Sequence, residues 1–339
     1  MSLPTPPSEN LITPRSNVKA KDATVYIHSA YHPKSVEYAR TKFKKVILLD
    51  DLPLEETLEQ TEGIFLRMSS VSREMILKSP KLQIISRNGV GYDNVHIQTC
   101  KEKGIIVTNV PGGNAHAVAE LALGMMLDLL RRISEVDRKV RLGEKIASIN
   151  VLAPGLFYKT IGLIGMGNIS WELSKLLSVF KCKILIYSPT SSPNKWQNSK
   201  KEEFEFERIS SLEELIKQVD VLSIHCPLND STKNLISKNQ LNLMKSNSII
   251  INTARGGIIN ERDLEFALIN KKIWGAALDV WEIEPSTNKT MGKLAELENT
   301  VVLPHLGGAT EEVAESGCTE SINIMADYFD GKGIKNRVV

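Results

Sequence analysis

No two cysteines in this chain lie close enough in sequence to act together. The four present, Cys100, Cys182, Cys226 and Cys318, are widely spaced, with no Cys-x-x-Cys and no histidine at ligand spacing. A disulfide framework and a metal site are therefore not expected, and the thiols read as the reduced residues of a cytoplasmic protein. An excess of one charge is missing too: Lys and Arg number 42 against 40 for Asp and Glu. That balance, with the basic residues dispersed rather than striped, argues against a nucleic-acid partner. Long apolar runs are also lacking. The stretch from Leu121 to Leu130 is too short to span a bilayer and contains Asp128, so no membrane partner is expected. Met1 to Asn17 has neither the apolar core of a secretory signal nor the Arg-rich helix of a transit peptide, and residues 1–20 read as a disordered tail.

What is present is a regular alternation. Short β-rich runs at Thr24 to His28, Val46 to Leu49, Gly63 to Arg67, Leu82 to Ser86 and Ile105 to Thr108 are separated by amphipathic segments. A second series runs through Thr160 to Ile164, Lys183 to Tyr187, Val221 to His225, Ser248 to Asn252, Ala276 to Val280 and Val301 to Leu303. Short apolar strands with helices between them mean parallel sheets buried on both faces. The expected fold is α/β, with two doubly wound parallel-sheet domains: a flavodoxin-like substrate domain, a Rossmann dinucleotide-binding domain, and a cleft between them. Residues 21–112 with 307–339 are assigned to the substrate domain and 113–306 to the dinucleotide domain. Ser211-Leu212-Glu213-Glu214 has the form of a capping box. The run from Asn114 to Ile133 is a strong helix, apolar on more than one side. It reads equally as a core helix and as the interface of a homodimer. The last helical stretch, Glu311 to Phe329, is placed to return to the first domain.

Gly165-Met166-Gly167-Asn168-Ile169-Ser170 follows a strand and precedes a helix. In that setting Gly165 permits a tight turn, and Gly167 lets the backbone approach a pyrophosphate at the helix N-terminus. Ser170 stands where the dinucleotide fingerprint has its third glycine, so the turn reads either as a cofactor loop or as a structural turn. An acid for the ribose 2′-hydroxyl of NAD is missing. The next strand runs on into Tyr187-Ser188-Pro189-Thr190. Each charge-assisted hydrogen bond lost there removes about 1.5–3 kcal/mol of NAD preference. The cofactor is thus expected to be NAD(P)(H), with NADP(H) mildly favoured by Ser188.

Further on come Arg255, Glu284 and His305. An arginine fork grips a carboxylate, a histidine moves a proton, and an acid can hold that histidine in place. Taken singly, Arg255 could equally cap a strand end and His305 could be an ordinary loop residue. Together with the glycine turn they read as hydride transfer at a 2-hydroxy or 2-keto acid.

The segments Gly89-Val90-Gly91-Tyr92-Asp93-Asn94-Val95, Asn109-Val110-Pro111-Gly112-Gly113-Asn114 and Val118-Ala119-Glu120 extend the pattern, as do His225-Cys226-Pro227-Leu228, Leu278-Asp279-Val280 and Pro304-His305. With these motifs in order, the chain from about Thr24 onward resembles the D-isomer-specific 2-hydroxyacid dehydrogenase family. The resemblance implies catalytic roles for Arg255, which would hold the substrate carboxylate, for His305, the proton carrier, and for Glu284, its orienting partner. It implies substrate contacts at Asn88, Gly89 and Val90. It also implies that Asp279 holds the nicotinamide carboxamide. Gly165, Gly167, Asn168, Ile169, Ser188, Cys226, Pro227, Thr253, Ala254, Arg255, His305 and Gly308 would line the cofactor.

Formate dehydrogenases share the pattern but carry glutamine where Glu284 stands, so formate is disfavoured. Arg67 and Arg87 are either solvated charges or a phosphate clamp, and the resemblance is to the D-3-phosphoglycerate dehydrogenase branch, which holds its substrate phosphate with arginines at these positions. No regulatory domain is expected after the last helix. A glyoxylate or hydroxypyruvate reductase using NADPH is the neighbouring reading. A nucleotide-sensing corepressor is the alternative from another class.

Overall fold

In the computed structural model of the chain, residues 18–196 and 204–339 are described. They form two compact units, residues 18–114 with Ala309–Val339, and Ala115–Gly308. The boundaries differ from those read in the sequence: Gly113 and Asn114 go with the first unit, Gly307 and Gly308 with the second. Most of the expected disordered tail lies outside the described residues. Its last residue does not fit that reading, because Ala20 opens a short 3-10 turn and is buried in the first core.

The first unit is built on five parallel strands, β1 (Thr24–Ile27), β2 (Lys45–Ile47), β3 (Gly63–Leu66), β4 (Ile84–Arg87) and β5 (Ile106–Asn109), in the order β2-β1-β3-β4-β5. Every residue of β3 is buried, as a parallel strand covered on both faces requires. The helix Glu311–Phe329 does return to this unit, and its Ile322, Met325, Tyr328 and Phe329 complete one of the unit's two apolar clusters. Register places Leu66 beside Arg87, so Arg67 and Arg87 leave the sheet at the same end of neighbouring strands.

The second unit carries β6 (Thr160–Ile164), β7 (Lys183–Tyr187), β8 (Glu207–Arg208), β9 (Val221–Ile224), β10 (Ile249–Asn252), β11 (Gly275–Leu278) and β12 (Thr300–Val302). Their order is β12-β11-β10-β9-β6-β7-β8, all parallel. The edge strand β8 was not foreseen, since two charged residues carry no apolar signal. Order reverses between β6 and β9, and it is outside the strand ends at such a switch point that open α/β sheets bind ligands. The first unit has its own switch between β1 and β3.

The helix Ala115–Arg131 spends its apolar residues inside its own unit. Ala119, Ala122, Met125, Met126, Leu129 and Leu130 pack with Leu173 and Leu177 of the helix Asn168–Val179 and with the sheet. What it leaves exposed is His116, Glu120, Gly124 and Arg131, a polar face rather than an apolar one. The expected capping box at Ser211 forms only in part: Ser211 Oγ accepts from the Glu214 N–H, without the reciprocal bond from the Ser211 N–H to the Glu214 carboxylate.

Gly162, in the middle of β6, sits under Val219, whose Cγ1 would lie 2.7 Å from an added Cβ. Overpacking of this kind costs about 1–3 kcal/mol. Gly162→Ala is therefore expected to lower the free energy of urea unfolding by that amount, and an unchanged midpoint would show that the β6–helix contact gives way freely.

Candidate active site

The glycine turn sits at the switch point of the second sheet. Gly165 has φ +106°, and a Cβ there would lie 2.6 Å from the His225 carbonyl oxygen. Glycine is thus required for β6 and β9 to leave the sheet side by side. Gly167 faces open space, with no atom within 4 Å of where its Cβ would be. It heads the helix Asn168–Val179 without a side-chain cap, so the first-turn amides at Asn168 and Ile169 are presented as a helix N-terminus presents them to an anion. Ser170 explains the departure from the fingerprint: it is fully buried, and its hydroxyl donates to the Gly165 carbonyl at 2.9 Å. Cys226 and Pro227 follow β9, Thr253 and Ala254 follow β10, and Ser188 follows β7, all at the same edge. Thr253 Oγ1 is buried with no hydrogen-bond partner. An unpaired buried hydroxyl at a strand end, on the same sheet edge as an uncapped helix start, fits a bound dinucleotide.

The three proposed catalytic residues stand on loops tied to one another through the backbone. Asn252 shapes the first: its Oδ1 accepts from the Ala254 N–H at 3.0 Å and its Nδ2 donates to the Arg255 carbonyl at 2.9 Å. The Arg255 guanidinium donates to the Ala254 carbonyl at 2.7 Å. Next, Gly256 lies flat on the second loop. A Cβ at this position would meet the Trp281 carbonyl carbon and oxygen at 1.9 Å. Trp281 joins the third loop by donating its indole N–H to the Leu303 carbonyl at 2.8 Å, and its backbone N–H donates to Glu284 Oε1 at 3.2 Å.

Glu284 Oε2 then accepts from His305 Nδ1 at 2.8 Å. Burial acts to raise the Glu284 carboxyl. The His305 bond, the Trp281 amide and the nearby Arg255 charge outweigh it and hold the group below its ordinary value, so the carboxylate stays ionised. His305 itself adopts φ +67°, a left-handed conformation uncommon for residues other than glycine.

Asp279 holds it. Fully buried at the end of β11, this carboxylate accepts from the Leu306 N–H at 2.6 Å and the Gly307 N–H at 2.8 Å. Burial raises its pKa, and the two amide bonds work in the opposite direction. In this structure Asp279 therefore holds the histidine turn. Gly307 packs against its carboxylate, while Gly308 closes the second unit.

In the first unit, Ser29 sits at the β1–β3 switch and was missed in the sequence, where a lone serine carries no signal. Its Oγ accepts from the Arg67 N–H at 2.9 Å and the Ser69 N–H at 3.3 Å. The Arg87 side chain folds back over its own turn and donates to the Asn88 carbonyl, with Gly89 (φ +130°) leaving room for it. Asn88 is buried; its Nδ2 reaches Cys318 Sγ at 3.1 Å, and its Oδ1 lies where a Cβ on Gly317 would be. Val90 is exposed, and its carbonyl accepts from Asn109 Nδ2 at 2.7 Å.

The remaining candidates are structural. Burial drives His225 down to about 3 and it bonds Ser223, so it stays neutral. His32 pairs with Glu311, His96 caps a helix through Thr99, and His116 meets Glu172. Burial pushes the Cys226 thiol up to about 11, which leaves it unreactive at neutral pH. Among the described residues no cluster of His, Cys, Asp and Glu could hold a metal ion, and no helix is long and apolar enough to cross a membrane.

Residues 123–307, nearly the whole second unit, match the family profile described as D-isomer specific 2-hydroxyacid dehydrogenase, NAD binding domain. The chain is 39% identical over 268 residues to a hydroxypyruvate reductase of Thermotoga maritima, covering 78% of this chain and 83% of that protein. The chain belongs to the D-isomer-specific 2-hydroxyacid dehydrogenase family.

This family member is an oxidoreductase. It is also 36% identical over 271 residues to a D-3-phosphoglycerate dehydrogenase of Methanocaldococcus jannaschii, covering 78% of this chain but 49% of that longer protein. Its fold matches the crystal structure of a D-lactate dehydrogenase from Aquifex aeolicus complexed with NAD and lactic acid. That likeness has a TM-score of 0.79 at 27% identity and covers 93% of this chain and 99% of the other.

Asp279→Asn would set an amide NH2 against one of two backbone donors and so release the turn that carries the histidine of this dehydrogenase. A misplacement of about 1 Å costs on the order of a hundredfold in rate. The expected result is a kcat reduced roughly tenfold to a hundredfold with folding preserved by circular dichroism. An unchanged kcat would mean that the turn keeps its shape without Asp279.

Proposed function

We propose that the protein reduces a small 2-keto acid at C2 to the D-2-hydroxy acid, drawing on NADP(H) in preference to NAD(H), with hydroxypyruvate-type acids as its substrates. The observation that carries the reading is the His305–Glu284 bond, set on the same backbone-tied loops as Arg255. The nicotinamide, when bound, supplies or takes up the hydride. Arg255 holds the substrate carboxylate, for which a planar fork suits a planar anion better than lysine would. His305, with Nδ1 committed to Glu284, gives a proton from Nε2 to the forming alkoxide during reduction and takes it back during oxidation. Glu284 stays ionised and steadies the charged imidazole. The absence of a carboxylate after β7 supports NADP(H).

Phosphorylated acid is the second reading, favoured by Arg67 and Arg87 leaving adjacent strands at one end and by the phosphoglycerate dehydrogenase relative. The Arg87 guanidinium's bond to its own turn, and the hydroxypyruvate reductase relative at the higher identity, support the unphosphorylated acid. Comparing kcat/KM for hydroxypyruvate, glyoxylate and 3-phosphohydroxypyruvate decides between them. Preference for the phosphorylated acid, lost in Arg67→Ala, would establish the second reading. Arg255→Ala is expected to lower kcat/KM on the order of a hundredfold to a thousandfold, while the dissociation constant for dinucleotide changes less than about threefold, below the cost of losing one direct charged contact. Loss of dinucleotide binding in a folded variant would refute the role given to Arg255.

We also propose a homodimer. Its supporting surface is the segment after the helix Ala115–Arg131, where Leu142 is 82% exposed, Ile149 70% and Leu152 68%. Large apolar side chains left exposed so near one another in sequence support an interaction surface. Light scattering should give the mass of a dimer, and the double substitution Leu142→Asp with Leu152→Asp should give a monomer. A monomeric wild type would sink the proposal.

A further inference from the structure

Beyond β7 the chain turns through Ser188-Pro189-Thr190-Ser191-Ser192-Pro193. One residue from elsewhere holds that turn. Arg208, on the edge strand β8 and in register with Ile186, sends its guanidinium into the loop. Nη1 donates to the carbonyls of Ser192 at 2.7 Å and Pro193 at 3.0 Å, and Nη2 to those of Ser188 and Ser191, both at 3.1 Å. Four carbonyls converge on a single cation. Nearby, Ser188 Oγ and Ser191 Oγ bond to each other at 2.8 Å.

Two consequences follow for the outer side of the turn. Across a trans peptide the C=O and N–H point in opposite directions. Carbonyls of Ser191 and Pro193 drawn toward Arg208 therefore turn the amides of Ser192 and Asn194 away from it. Amides turned outward in this way, here one on each side of Pro193, are free to donate to an anion. The guanidinium also adds a fixed positive charge behind the turn, where an NAD-type site would have a carboxylate. No acid occurs from Tyr187 to Trp196. Glu207, the adjacent residue on β8, points to the other face and pairs with Lys183 at 3.0 Å.

We propose that Arg208 is the residue that sets the preference for a phosphorylated ribose, by organising the Ser188–Pro193 turn and supplying its charge. This rests on the NADP(H) reading above and adds a residue to it. Arg208 acts through the turn and through its field, as a positioning residue. It should therefore bear on the 2′-phosphate and leave the rest of the dinucleotide unaffected.

The test is binding without substrate. Dissociation constants for NADPH and NADH would be measured by nicotinamide fluorescence on the wild type, on Arg208→Gln and on Arg208→Lys. The interaction of two opposite charges across a partly solvated gap is large enough to give a tenfold effect or more. NADPH binding is expected to weaken at least roughly tenfold in Arg208→Gln, NADH binding to change less than about twofold, and Arg208→Lys to fall between, since it keeps the charge and loses the fork. Equal weakening of both nucleotides would show a purely structural arginine and overturn the proposal, as would an unchanged NADPH constant. A wild type that binds NADH more tightly than NADPH would overturn the cofactor reading itself, which separates the two failures. Should Arg208→Gln not fold, the wild type is titrated at rising ionic strength. Salt screens exposed charges, so the NADPH preference must shrink while NADH binding holds. A preference indifferent to salt would again overturn it.

Discussion

Backbone contact between loops is the constraint on which the site depends. Gly256 rests directly on the Trp281 peptide, the Trp281 indole holds Leu303, and Asp279 grips Leu306 and Gly307. None of these ties involves the side chains proposed to carry the chemistry. They leave Arg255, Glu284 and His305 with little freedom to move independently, and fixing reacting groups in advance is worth several kcal/mol of a barrier. The left-handed His305 shows the same constraint from the other side: an unfavourable conformation persists because the residues on both sides of it are held.

How much of this could be read from the amino acids follows from the kind of signal each part leaves. Buried parallel strands announce themselves as short β-branched runs, and Ile249-Ile250-Ile251 could hardly be anything else. The helix Glu311–Phe329 appeared over the residues where it was expected. By contrast β8 is Glu-Arg, indistinguishable from a loop. The helix after Asn114 read equally as a core helix and as an interface, because an apolar residue in sequence does not say which side its partner comes from. Here the partner is the unit's own sheet.

The site divides in the same way. Gly165 was legible because its strand-turn-helix setting is local. Arg255, Glu284 and His305 gained their meaning in combination with the glycine turn, and the resemblance then implied a role for each. Side chains that bond to distant backbone, such as Asn252, Ser29 and Arg208, left no pattern at all. Asp279 was visible as a motif residue, but its bonds to the histidine turn lie 27 and 28 residues away and have no periodicity to reveal them. Ser170 is the instructive case between. It looks like a defect in the fingerprint until the hydroxyl is seen to bond the carbonyl of the turn's first glycine.

The return of the chain to its first unit bears on how the protein is made. Residues 115–308 are contiguous, so the ribosome delivers everything the second unit needs in one stretch. The first unit begins earlier but waits longer, because Ile322, Met325, Tyr328 and Phe329 belong to its core and Arg337 bridges to Thr108 on β5. Until they emerge, the apolar face that they cover around Val25, Phe65 and Ile84 stands open. During synthesis the usual order, N-terminal unit first, therefore cannot run to completion: the first core closes only after every residue of the second unit has been made.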